Sequence, residues 1–193
     1  MQNNHAKVRA LTGTAILTAI VVVLQLIGGA IHFGVFSISL VLVPIVIGAA
    51  LYGAWAGAWL GFVFGLMVLL TGDAAPFLAI NPLGTILTVL VKGTCAGLVA
   101  GLVYRALEKK NQLLAVICAA IAAPVVNTGI FLIGCELFFL DTVREWGQAA
   151  GFDNVGAYML TGFVGLNFLF ELGVNIVLAP VIVRLVKYAR KER

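Results

Sequence analysis

The stretch from Pro82 to Tyr104, PLGTILTVLVKGTCAGLVAGLVY, carries one charged residue, Lys92, among apolar, small and hydroxyl side chains. A helix needs about 20 predominantly apolar residues to cross a bilayer, so the stretch reads as a membrane span. Asn81 stands where a helix cap belongs, and Pro82 fits the first turn, where its missing N–H costs nothing. The rest of the chain has the same character. Of its 193 residues, 62% are hydrophobic and 10% charged, against roughly half and a quarter in soluble domains. The sequence therefore specifies an all-α integral membrane protein, a single membrane domain over residues 1–193, with no room for a soluble ATPase domain. No cleavable signal is read before Lys7.

Outward from that span the apolar runs number six. They cover Ala10 to Ile31, Ser37 to Leu51 (short, with Pro44), Trp55 to Leu70, Pro82 to Tyr104, Leu113 to Leu140 (with Pro124, where a kink is expected) and Val155 to Val186. Small residues around Tyr52 to Ala54 make a tight hairpin of the second and third. The segments Thr71 to Pro76 and Asp141 to Asn154 read as polar connections. Six transmembrane helices place Lys7, Arg9, Arg105, Lys109, Lys110, Arg184, Lys187, Arg190, Lys191 and Arg193 on one side, and only Arg144 on the other. By the positive-inside rule both termini are cytoplasmic. The net charge of +4 is then a topology signal, and no nucleic-acid partner follows. Cys95, Cys118 and Cys135 lie in apolar runs without CxxC spacing, so neither a disulfide framework nor a metal site is expected.

Glycines recur every four residues at Gly53, Gly57, Gly61 and Gly65, and again at Gly93, Gly97 and Gly101. Such ridges let helix backbones approach closely where lipid gives no hydrophobic push, and internal packing is the plainer reading over a surface for a partner. No repeat relates the two halves of the chain.

Ionisable side chains within a bilayer are costly and are functional candidates by default. Three fall within the runs. Lys92 lies ten residues past Pro82, about 15 Å deep at 1.5 Å per residue, with Thr85 and Thr88 on its face. Glu171 is flanked at four-residue spacing by Asn167 and Asn175, which aligns them in one stripe. Glu136 sits nearer the outer end of its run, nine residues after Asn127. Gln25 and the interfacial His32 complete the polar inventory. A structural Lys92–Glu171 pair and a pocket in which Lys92 meets an anionic ligand are both compatible with this arrangement. Phe33, Phe36, Phe77, Trp146, Phe152 and Tyr158 read as outer belt residues, some able to cover a site. No HExxH, GxSxG or P-loop is present, so the chain reads as a transport, binding or assembly protein and not an enzyme, and no cofactor is expected.

The combination of about 190 residues, six helices with both ends inside, a short second helix and Ala15-Ile16-Leu17-Thr18-Ala19 in the first resembles the substrate-binding S components of energy-coupling factor (ECF) transporters, the bacterial vitamin importers. The stretches Phe36-Ser37-Ile38-Ser39-Leu40, Asn81-Pro82-Leu83-Gly84-Thr85 and Asn127-Thr128-Gly129 look like the branch of riboflavin, folate and pantothenate carriers. The resemblance implies a multi-pass protein of the bacterial plasma membrane that captures a vitamin from outside. It would topple in the bilayer against a transmembrane coupling protein, which carries two cytoplasmic ATPases. Ala15 and Ala19 would then belong to the docking face, and Lys92, Asn127, Asn167, Glu171, Asn81 and Thr88 are the candidate ligand-binding residues. A single midplane lysine among amides suits pantothenate, with riboflavin as the alternative. A stand-alone proton-coupled carrier relaying through Glu171 or Glu136 is a different class, and would transport without partners. An assembly subunit, a third class, would bind no small ligand.

Overall fold

The computed structural model describes residues 2–28, 32–33, 36–37 and 40–191. Helix α1 (Gln2–Gly28) is followed by strands β1 (His32–Phe33) and β2 (Phe36–Ser37), which pair as an antiparallel hairpin. Then come α2 (Leu42–Tyr52), α3 (Ala54–Thr71), α4 (Ala75–Leu78), α5 (Pro82–Leu107), α6 (Gln112–Phe138), α7 (Leu140–Ala149) and α8 (Val155–Ala157). A π-helical turn, Tyr158–Phe163, leads into α9 (Gly165–Lys191). Among the described residues five helices are long and apolar enough to cross a membrane, and α2 is a shorter apolar helix beside them. At 11 residues α2 rises only about 16 Å, roughly half the hydrocarbon thickness.

The boundaries follow local chemistry. Asn81 caps α5 by accepting from the Gly84 N–H at 2.9 Å, with Pro82 in the first turn, as the sequence predicts. Asn111 does the same for α6. At the α2–α3 junction Gly53 has φ +96°, a conformation that a side chain would strain, and the chain reverses there within one residue. Helix α6 continues through Pro124, and α9 through Pro180.

Three expectations are corrected. The segment expected as a polar connection, Asp141 to Asn154, is largely the amphipathic helix α7, which buries Val143 and Gly147 and exposes Asp141, Arg144 and Glu145 on its polar face. The last span starts ten residues later than its apolar run, because residues 155–163 form a short helix and a π turn instead. The break before Asn81 holds the single turn α4.

The two glycine ridges meet each other. A Cβ at Gly57 or Gly61 would overlap the carbonyls of Gly97 or Gly93, and one at Gly65 would lie 2.7 Å from the Val89 carbonyl. So α3 and α5 touch backbone to backbone, and van der Waals packing supplies the attraction that lipid does not. The core divides along the bundle. Toward the end that carries most of the Lys and Arg residues, alanines 100, 115, 119, 120, 123 and 179 pack with Tyr104, Ile182 and Val186. Val21, Leu42, Ile45, Leu60 and Phe64 fill the space between α1, α2 and α3. At the opposite end an aromatic cluster forms around Phe77, with Phe131, Phe139, Tyr158 and Phe163.

Candidate functional site

A cavity lies against that aromatic cluster, lined by residues of α1, α3, α5, α6 and α9 and of the turn between α3 and α4. Its volume is about 70 Å³, several times the roughly 10–15 Å³ that a single water needs. Nine polar or charged side chains and eight apolar or aromatic ones line it, a wall in which polar groups can fix the orientation of a small molecule and rings supply contact area.

Lys92 reaches the cavity from α5. Its ammonium lies 5.0 Å from the Phe131 ring centroid and 5.8 Å from that of Phe64, a cation–π cradle that holds charge without neutralising it. Among the described residues it makes no ion pair; the one pair found is the exposed Arg144–Asp141 contact on α7. Glu171 lines the same cavity but makes no ion pair with Lys92. Instead Asn167 donates to Glu171 Oε1 at 3.3 Å, and Asn175 donates to the Glu171 backbone carbonyl at 2.8 Å. The four-residue stripe expected on the last span is therefore present on α9.

From α6 comes Asn127, which follows Pro124 by three residues, and from α5 comes Thr88, whose methyl and hydroxyl fill the notch left by Gly134. Lys92, Asn127, Asn167, Glu171 and Thr88 thus converge on one cavity. Asn81 does not line it, since its side chain is spent on capping α5. Glu136, expected to face the interior, is exposed on the outside of α6 between Ile133 and Leu137. A residue near the end of a span reaches the polar interface without needing a partner. His32 falls on β1, and its side chain, like those of Phe33 and Phe36, lies outside the described residues. Ala15 and Ala19 are exposed on α1, in a face with Ile16 and Val23.

The sequence alone did not assign Gln25, Asp73, Thr128, Phe64 and Phe131 to this wall. Gln25 gave a signal, since a lone amide in an apolar run wants a buried partner. Asp73 gave none, because an acid in a connection is normally solvated. Of the two roles the sequence left open for Phe77, Trp146, Phe152 and Tyr158, belt or cover, the packing favours the second. Phe77 makes edge contacts with Phe131, Phe139 and Trp146 at 5.6, 5.1 and 5.6 Å between centroids. Phe152 packs on Tyr158, which stacks on Phe163. Phe77, Phe131 and Phe139 line the cavity, and the other rings pack behind them as its cover. The π turn serves this cover: its widened ladder, closed by Val164 N–H to the Met159 carbonyl at 3.2 Å, sets Phe163 into the cluster and Val164 against the cavity.

Residues 9–183 match the family described as "ECF transporter, substrate-specific component". A solved structure of ThiT from Listeria monocytogenes is similar over 96% of this chain and 97% of that one, at 24% identity and a TM-score of 0.66, a likeness of fold. No curated protein matches the chain.

Proposed function

Because the chain belongs to the ECF transporter substrate-specific components, which bind a vitamin and pair with the ECF module, we propose that it captures pantothenate. It is a multi-pass protein of the plasma membrane and a transport component, not an enzyme. The observation that carries the choice of vitamin is Lys92. Its ammonium is held over two rings at the cavity wall, with no carboxylate paired to it among the described residues. A charge left unneutralised in a low-dielectric site is costly unless something binds it, and one carboxylate on a small ligand answers it. The hydroxyls and amide of pantothenate suit the amides and hydroxyls of Asn127, Asn167, Thr85 and Thr88. Asn81, in this reading, acts by fixing the start of α5.

The same reading places a transmembrane coupling protein against α1, with two cytoplasmic ATPases supplying the energy. The small, exposed side chains of Ala15 and Ala19 one turn apart on α1 support it. Riboflavin is the alternative ligand, favoured by the rings of Phe64, Phe77 and Phe131 in the wall. The test is mass spectrometry of small molecules that co-purify with the protein, followed by uptake of labelled pantothenate into vesicles. Pantothenate should co-purify, and uptake should need the coupling module. Uptake by the chain alone would instead support a proton-coupled carrier working through Glu171.

A further inference from the structure

Three buried polar atoms on residues that line the cavity have no hydrogen-bond partner among the described residues: Thr88 Oγ1, which packs beside Gly134, Asn127 Oδ1 and Glu171 Oε2. Their residues are 6%, 5% and 2% exposed and come from three different helices. Buried polar groups are nearly always paired, so each exception asks for a reason. Thr85, three residues earlier on the same helix, returns its hydroxyl to the Asn81 carbonyl, while Thr88 does not return its own. The chemistry is also one-sided. A carbonyl or carboxylate oxygen only accepts, a hydroxyl does either, and the neighbouring ammonium only donates. Asn175 Oδ1 is unpaired too, but it lies outside this wall.

Resting on the reading of the cavity as the vitamin site, we infer that Thr88, Asn127 and Glu171 form an acceptor cradle that selects the ligand by its donors. The ligand class is a small molecule with one anionic group for Lys92 and at least two O–H or N–H donors, one for Asn127 and one for Glu171. A site built to hydrogen-bond a hydroxyl rejects the analogue lacking it far more strongly than an apolar pocket rejects a missing methylene. Specificity then lies in donor placement, with the rings giving bulk affinity.

Thr88→Val removes one cradle oxygen at constant shape, and Glu171→Gln turns an accepting atom into a donating one. Each variant should bind pantothenate at least roughly 10-fold more weakly, the scale of one lost hydrogen bond. Pantothenate lacking a hydroxyl should bind the wild-type protein less well by a similar factor or more. In ligand-free detergent solution Thr88→Val should melt at the same temperature or higher, because an unpaired buried atom has been removed, and Glu171→Gln should melt no lower, because Gln keeps an oxygen that can accept from Asn167. Unchanged pantothenate affinity in stable variants would overturn the cradle, as would a clear fall in melting temperature, which marks a structural role. If the wild-type protein takes riboflavin and not pantothenate, the choice of vitamin fails. The same variants measured with riboflavin then decide the cradle by the same 10-fold criterion. If neither vitamin binds, the melting temperatures decide: level or raised supports the cradle, lowered overturns it.

Discussion

Gln25 of α1 and Asp73 of the α3–α4 turn, 48 residues apart in sequence, are joined in the cavity wall by a hydrogen bond from the amide Nε2 to the carboxylate Oδ2. Thr71 Oγ1 approaches the same oxygen at 3.4 Å. Gly72, at φ +86°, turns the chain so that the acid points inward instead of out to water. Of the α1 side chains described, only Val21 and Gln25 are buried. The outer half of the first helix is therefore held by Val21, by the partly buried Val22 and Leu24 packed against the same cluster, and by one hydrogen bond to a carboxylate. That bond is part of the site itself.

Gln25→Leu keeps the volume and removes the donor. A hydrogen bond to a charged group contributes about 1.5–3 kcal/mol, and partial exposure of Asp73 places the expected loss toward the lower end. Denaturant unfolding in detergent measures it. Gln25→Glu should be worse at neutral pH, since it sets two carboxylates together. Equal stability of all three proteins would show that the contact holds nothing.

The apposed glycines make a graded prediction. Gly61→Val drives a branched side chain into the Gly93 backbone, which cannot yield as a flexible side chain would, so the α3–α5 pair should separate and the protein should fail to fold or aggregate on extraction. Gly129→Ala, whose Cβ would meet nothing within 4 Å, should be neutral or stabilising by up to about 1 kcal/mol, the helix-propensity difference. Size-exclusion profiles and melting temperatures of the two variants distinguish a packing surface from a lipid-facing one.

Lys92→Met should leave the protein folded, because no ion pair is broken, and should weaken pantothenate binding by roughly 10- to 150-fold, the loss of a bond worth about 1.5–3 kcal/mol. With no direct bond between them, Glu171→Gln should not restore stability or affinity to the Lys92→Met protein. Rescue by the double variant would mean that the two residues act as a structural pair. Unchanged affinity in a stable Lys92→Met protein would move the ligand to riboflavin.

Leu at both Ala15 and Ala19 adds bulk to an exposed face of α1 and touches neither Gln25 nor the cavity. Ligand affinity should be kept, while assembly with the coupling protein and uptake should be lost, because close helix approach needs small residues. Normal co-purification of the variant with the coupling protein would remove those alanines from the docking face.

Hydropathy and charge placement along the chain determined the all-α membrane fold, the existence of the spans, the cap at Asn81 and the four-residue stripe of Asn167, Glu171 and Asn175. Each is a local property: the bilayer requires every backbone group to be satisfied within its own helix, so span and face are written in nearest neighbours. Lys92 and Glu171 were visible for the same reason, as charges where charge is expensive. What they face was not visible. Whether Lys92 meets Glu171 or two phenyl rings, whether Glu136 points in or out, and whether Phe77 and Trp146 face lipid or roof a cavity all depend on helix rotation and tilt. Those are set by long-range packing such as Gly61 against Gly93. Asp73 is the clearest instance. In sequence it is an acid in a polar break, and it enters the site only because a left-handed glycine and an amide on a distant helix bring it there.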